Sequence, residues 1–135
     1  MSERGGERIE RLAAGRGGPE AMGPYSQAVA AGGFVFVSGQ GPRDPATGSY
    51  VEGGIEEQTR QVLRNLESIL GRMGLGLSDV VKANAYLRDI KDFEGFNRAY
   101  AGFFGGEYPA RTTVQAVLPG PGALVELDVV AKTRE

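Results

Sequence analysis

Arg111 and Glu126 are the residues of this chain most able to do chemistry. Arg111 lies in Ala110-Arg111-Thr112-Thr113-Val114-Gln115-Ala116-Val117, and Glu126 in Ala123-Leu124-Val125-Glu126-Leu127-Asp128-Val129-Val130-Ala131. Both stretches read as strands from their β-branched content and alternation. A charge buried in a strand is costly unless it finds a partner. Each residue is therefore either half of a structural ion pair, Arg111 with Glu126 or with Asp128, or part of a site. A guanidinium grips a carboxylate through two parallel hydrogen bonds, and a carboxyl group whose pKa is poised by its surroundings moves protons.

Composition leaves few rivals to these two. The 135 residues contain no His and no Cys. That excludes His general bases, Ser-His-Asp triads, thiol nucleophiles, disulfides and the usual zinc ligands. With 15 Lys and Arg against 17 Asp and Glu, the net charge is −2, which gives no electrostatic reason to bind nucleic acid or an anionic membrane. No apolar run approaches the ~20 residues needed to span a bilayer. Met1 to Arg11 is polar and lacks the apolar stretch of a secretory signal, so a cytoplasmic protein is expected. Glycine is abundant, at 22 residues against a usual share of about 7%, but it falls in pairs that punctuate periodic segments, as turns do. Gly71-Arg72-Met73-Gly74-Leu75-Gly76 comes nearest to a phosphate loop. It follows a helical pattern rather than a strand, so it reads as a helix C-terminus.

The elements that must position the two charges form a single domain, expected over residues 19–135. Residues 1–18 read as a flexible arm, in which Glu7 to Leu12 can add a short first strand. Gln27 to Ala31, Gly32-Gly33 and Phe34 to Ser38 make a hairpin, and Asp44-Pro45-Ala46-Thr47-Gly48 is strong turn chemistry. Ile55, Val62, Leu63, Leu66, Ile69, Leu70 and Met73 share one face of a helix. Ser78 to Asp89 alternates as a strand. A second helix is expected from Asp92, as N-cap, to Phe104, with Phe93, Phe96, Tyr100, Phe103 and Phe104 as its stripe. Alternation puts Val81, Ala83, Ala85 and Leu87 on one strand face, Thr112, Val114 and Ala116 on the next, and Val125, Leu127 and Val129 on the last. Lys82, Asn84 and Tyr86, then Arg111, Thr113 and Gln115, then Glu126 and Asp128 take the opposite face. Two helices cover one side of a sheet, which gives a two-layer α+β sandwich. On the other side, charges beside Phe34, Phe36, Leu124 and Val130 imply contact with other subunits, with Arg111 and Glu126 sharing the interior so formed.

Several ordered motifs resemble one family. Gly23-Pro24-Tyr25-Ser26-Gln27-Ala28 followed by Phe34-Val35-Phe36-Val37-Ser38-Gly39-Gln40 is similar to the opening signature of the YjgF/Rid family of enamine/imine deaminases. Glu56 to Leu66, Asp79-Val80-Val81-Lys82, and Asn97-Arg98-Ala99-Tyr100 with Phe103-Phe104 resemble its middle elements. Pro109 to Val114 and Gly122 to Leu127 resemble its closing signature. The resemblance covers residues 19 to 132. It implies a chorismate mutase-like fold, a mixed sheet of about six strands with two helices on one face, and a homotrimer with a central barrel and clefts between subunits. It further implies hydrolysis of small 2-imino or 2-enamino acids, such as 2-aminoacrylate and 2-iminopropionate, to 2-keto acids and ammonia, with no metal and no organic cofactor.

Carried onto this chain, the resemblance makes Arg111 the anchor of the substrate carboxylate and Glu126 the group that orients water and passes a proton to the leaving amine. Asp128 is its rival. Tyr25 closes the cleft, Ser38 and the Gly39 backbone form the pocket floor, and Asn97 adds a polar contact. Thr113 stands where many relatives carry Cys, and Gly41 where they usually carry a branched aliphatic residue, which implies a looser pocket rim. Two other readings stay open at this point: a trimeric module that binds small carboxylates without turnover, and an endoribonuclease.

Overall fold

The structure, a computed structural model, describes residues 8–13 and 23–134. Most of the expected arm lies outside the described residues. Its short strand does form, as β1 (Glu10–Leu12), and pairs with β2 (Ala28–Ala31). With β3 (Phe34–Gln40), β4 (Val80–Leu87), β5 (Ala110–Gln115) and β6 (Val125–Lys132) the described strands make one sheet in the order β1-β2-β3-β6-β4-β5. All neighbours are antiparallel except β4 and β5, whose parallel pairing needs a crossover. The crossover carries α2 (Phe93–Ala101). The longer α1 (Ile55–Arg72) connects β3 to β4.

Local chemistry explains the turns. The β2–β3 hairpin closes on Gly32 and Gly33, at φ 63° and 83°, a geometry that side chains resist. In the 44–48 turn the Asp44 carbonyl accepts from Gly48 N at 2.8 Å, and the Asp44 carboxylate accepts from Ala46 N at 2.8 Å. The glycine-rich stretch after α1 is a helix stop: Leu75 N donates to Leu70 O and Gly74 N to Gly71 O, with Gly74 at φ 78°. Asp92 stands at the N-cap of α2 but makes no capping bond with its side chain. Asp89 caps the preceding turn instead, accepting from Lys91 N at 2.9 Å.

The core sits between the sheet and the two helices. Val62, Leu63, Leu66, Ile69 and Leu70 of α1 and Phe96 of α2 pack on Val35, Val37, Ala83, Ala85, Leu87, Val125, Leu127 and Val129. Truncating a buried aromatic such as Phe96 costs about 3–5 kcal/mol. The β6 faces match the sequence expectation. Two others differ. A register shift between Val80 and Lys82 turns Val81 outward, 45% exposed. In β5 the two faces are exchanged. Thr112 lies on the open side, where its hydroxyl accepts from Lys82 Nζ at 2.9 Å, and Val114 is exposed. Arg111 and Thr113 pair with the core residues Ala83 and Ala85 and face the helices. The physical reason is the aromatic surface of α2, which accepts a guanidinium as readily as an aliphatic side chain.

Candidate functional site

The exchange in β5 sets the geometry of the site. Arg111 reaches beneath α2, where its guanidinium lies 4.7 Å from the Tyr100 ring centroid, 5.0 Å from that of Phe96 and 5.8 Å from that of Phe93. Its Nη2 donates to Asn97 Oδ1 at 2.8 Å. Among the described residues no carboxylate pairs with it. Arg111, Asn97, Tyr100, Tyr108 and Pro109 line a cavity of about 400 Å³. Burial pushes the Tyr100 hydroxyl above its ordinary pKa, with the Arg111 charge opposing. The Tyr100 and Thr113 hydroxyls are both buried with no hydrogen-bond partner among the described residues.

Glu126 belongs to the other side of the sheet. It pairs with Tyr86 in β4 and lines a cavity of about 510 Å³ with Tyr25, Gly39, Arg43, Tyr50 and Pro119. An adjoining cavity of about 430 Å³ adds Ser38 and Asp128. The Glu126 carboxyl sits directly on the Gly39 backbone, where an added Cβ would fall 2.2 Å from Oε2. Burial, reinforced by the charge of Asp128, raises its pKa above the ordinary carboxylate value. Asp128 has a different task. It accepts from Asn84 Nδ2 and from the Tyr86 hydroxyl, both at 2.8 Å, and holds the Tyr86 pKa up at about 12. No described side chain donates to Glu126, whereas two donate to Asp128. Ser38 spends its hydroxyl on Ser26 O at 2.6 Å and so ties the Tyr25 segment to β3.

Within one chain, then, Arg111 and Glu126 stand on opposite faces of the sheet, not on the one face that strand alternation gave them. Arg111, Asn97 and Thr113 gather on the helix side of the sheet. Tyr25, Ser38, Gly39 and Glu126 gather on the open side. β5 is short and amphipathic in both directions, so the alternation that grouped Arg111 with Glu126 does not fix which of its faces meets the helices.

Sequence reasoning also missed the residues that shape the Glu126 cavity. Asn65 of α1 donates to Gly41 O at 3.2 Å and Arg43 O at 2.8 Å. Gln58 brackets the opposite wall, donating to Gly122 O at 3.0 Å and accepting from Leu124 N at 2.7 Å. Arg88 donates to Ala123 O at 2.6 Å and Gly120 O at 2.8 Å. Gln58 and Asn65 were visible in principle as polar interruptions of the buried stripe of α1. Gly41 lines the rim of the Glu126 cavity. It borders the Tyr50 ring, where a Cβ would already touch Tyr50 Cε1 at 3.6 Å.

Fold and geometry together define a two-layer α+β domain with an acid-free arginine on one side of its sheet and a raised-pKa carboxyl on the other. The family model described as endoribonuclease L-PSP matches residues 16–133. The chain belongs to this family, the YjgF/Rid family of the sequence signatures. It is 46% identical over 113 residues to a RutC family protein of Pyrococcus horikoshii, covering 84% of this chain and 90% of the relative. It is 37% identical over 123 residues to the human 2-iminobutanoate/2-iminopropanoate deaminase, covering 91% and 90%. Among solved structures it is similar to E. coli TdcF with bound serine, at a TM-score of 0.85 and 30% identity, covering 93% of this chain and all of that one.

Proposed function

We propose that the protein hydrolyses small 2-imino and 2-enamino acids to 2-keto acids and ammonia, in clefts where Arg111 of one copy meets Glu126 of another in a homotrimer. The observation that carries this reading is Arg111 itself. Rings and Asn97 hold its guanidinium in a cavity, with no acid among the described residues to neutralise it. A fixed, unpaired guanidinium is a carboxylate receptor. The human relative's imine deaminase activity and the serine held by the E. coli neighbour support a small amino-acid-like ligand.

In this mechanism Arg111 binds the substrate carboxylate and orients C2. Ionised Glu126 positions a water and takes a proton as the water adds to the carbon of the protonated imine, C=NH2+. The carbinolamine then collapses: its nitrogen receives that proton from Glu126, the hydroxyl gives its own proton to Glu126 as the C–N bond breaks and the carbonyl forms, and the departing ammonia carries this last proton away as ammonium, leaving a keto acid. A raised pKa suits both halves of this cycle, since the group must accept and return a proton near neutral pH. Orientation supplies most of the acceleration, as such imines already hydrolyse slowly in water. An RNA substrate would call for a basic surface, which a net charge of −2 does not favour.

The test generates 2-aminoacrylate in a coupled assay and follows pyruvate. Wild type is expected to exceed the spontaneous rate, and Arg111→Ala to fall by about a hundredfold. Equal rates for the two proteins would refute the mechanism. Keto-acid affinity without turnover would identify a binding module instead.

A further inference from the structure

The cavity around Glu126 is larger than the smallest imino acids require. At about 510 Å³ in a single copy it falls within the range that encloses drug-sized ligands, before a neighbouring copy contributes its Arg111. Its wall also carries a second cation, Arg43. The Arg43 guanidinium lies 4.7 Å from the centroid of the Tyr50 ring. The backbones of the two residues are joined by a β-bridge that folds the 41–51 loop back on itself. Glycines make room for the ring. A Cβ at Gly120 would fall 1.6 Å from the Tyr50 hydroxyl oxygen, and one at Gly122 would touch Cδ2 at 3.7 Å.

The mundane reading of Arg43 is that it staples the 44–48 turn, since its Nη1 donates to Gly48 O. That turn is already closed without it, through the Asp44 carbonyl and carboxylate. One contact also leaves most of the five guanidinium N–H donors unassigned. No acid among the described residues pairs with Arg43. A guanidinium stacked on an aromatic face keeps its in-plane donors directed outward, a posture that lysine cannot copy.

We infer that Arg43, mounted on Tyr50 in the wall of the Glu126 cavity, selects substrates with a second carboxylate: 2-imino dicarboxylic acids of the kind formed by oxidising aspartate or glutamate. The inference rests on the deaminase reading and adds its substrate class. Arg111 of a neighbouring copy takes the carboxylate next to the imine, Glu126 serves the imine carbon, and Arg43 takes the carboxylate at the end of the side chain. Two fixed cations then match two anions, with the reacting carbon beside the one acid.

The experiment measures kcat/KM for imines produced in situ from aspartate, glutamate and alanine by amino-acid oxidation, with the spontaneous rate subtracted. The quantity read is the ratio of dicarboxylic to monocarboxylic kcat/KM, which a loss of folded protein does not move. Wild type is expected to favour the dicarboxylic imines. Arg43→Leu should lower the ratio at least tenfold, and Arg43→Lys should lower it less. As a readout independent of imine generation, 2-oxoglutarate should inhibit wild type more strongly than 2-oxobutanoate, and Arg43→Leu should erase that order. A wild type that hydrolyses 2-iminopropanoate but spares the dicarboxylic imines, or a ratio unmoved in Arg43→Leu, would overturn the selection by Arg43 and leave the deaminase reading standing. A wild type that accelerates none of the imines would end both.

Discussion

At the scale of single residues, the role proposed for Glu126 is told from a structural one by the sign of its effects. Its pKa is raised by burial and by the neighbouring charge of Asp128. A carboxyl group raised above its unfolded value holds its proton more tightly in the folded state. Its contribution to stability is therefore complete below the unfolded pKa and is lost as pH rises through the folded one. Above that range the ionised group opposes folding. Glu126→Gln is thus expected to raise the thermal midpoint at neutral and mildly alkaline pH, with the gain vanishing in strong acid. The same substitution should cut imine hydrolysis about a hundredfold or more. It should also remove the acid limb of the wild-type rate profile, whose midpoint lies above the ordinary carboxylate range. Thermal melts across pH beside rate profiles check both halves. A Gln variant that is less stable at neutral pH would make Glu126 a structural residue. Asp128, held by Asn84 and Tyr86, shows how the same residue class two positions away is spent on the fold.

At the scale of elements, the sheet supplies the charges and α1 supplies the walls around them. Asn65 is buried and holds the carbonyls of Gly41 and Arg43, while its own oxygen accepts from Gln61 Nε2 at 2.9 Å. Asn65→Ala removes the donor and leaves two carbonyls of the 41–43 segment without it, at a cost of about 1–3 kcal/mol. The expected result is a melting midpoint several degrees lower, together with weaker discrimination among substrates, because Arg43 loses its seat. Denaturant unfolding and a substrate panel test this, and a variant with wild-type stability would show that the segment holds itself. This tie was poorly legible in the sequence, although the helix carrying it was plain. The spacing of Val62, Leu66, Ile69 and Leu70 reports a buried face but says nothing about which distant loop a polar residue on that face will reach. The hairpin at Gly32-Gly33 and the 44–48 turn were legible because their chemistry is local. The faces of β5 were not. Its edge position and the aromatic stripe of α2 decide that Arg111 points inward, and neither is a property of the strand's own pattern.

At the scale of the whole molecule, the sheet has an open side that the described residues of a single copy leave uncovered. Phe36, Val81 and Val114 are 47%, 45% and 43% exposed there, beside the carboxyl groups of Glu126 and Asp128. Apolar exposure mixed with poised charges is a surface suited to another copy of the chain. The separation of Arg111 from Glu126 bears on the same proposal. Arg111 opens from beneath α2, and Glu126 opens on the far side of the sheet, so a cleft that uses both must take them from different copies. Complementation tests this directly. Arg111→Ala alone and Glu126→Gln alone should each be inactive. Unfolded together in equal amounts and refolded, they should regain about a quarter of wild-type activity, the share of clefts that on random mixing pairs an intact Arg111 with an intact Glu126. Separately refolded and then mixed without subunit exchange, they should regain none. Light scattering on each sample fixes the assembly as a trimer or excludes it. If the co-refolded sample stays inactive while its mass is that of the wild-type assembly, the two residues do not share a cleft, and hydrolysis would have to rest on one side of the sheet alone.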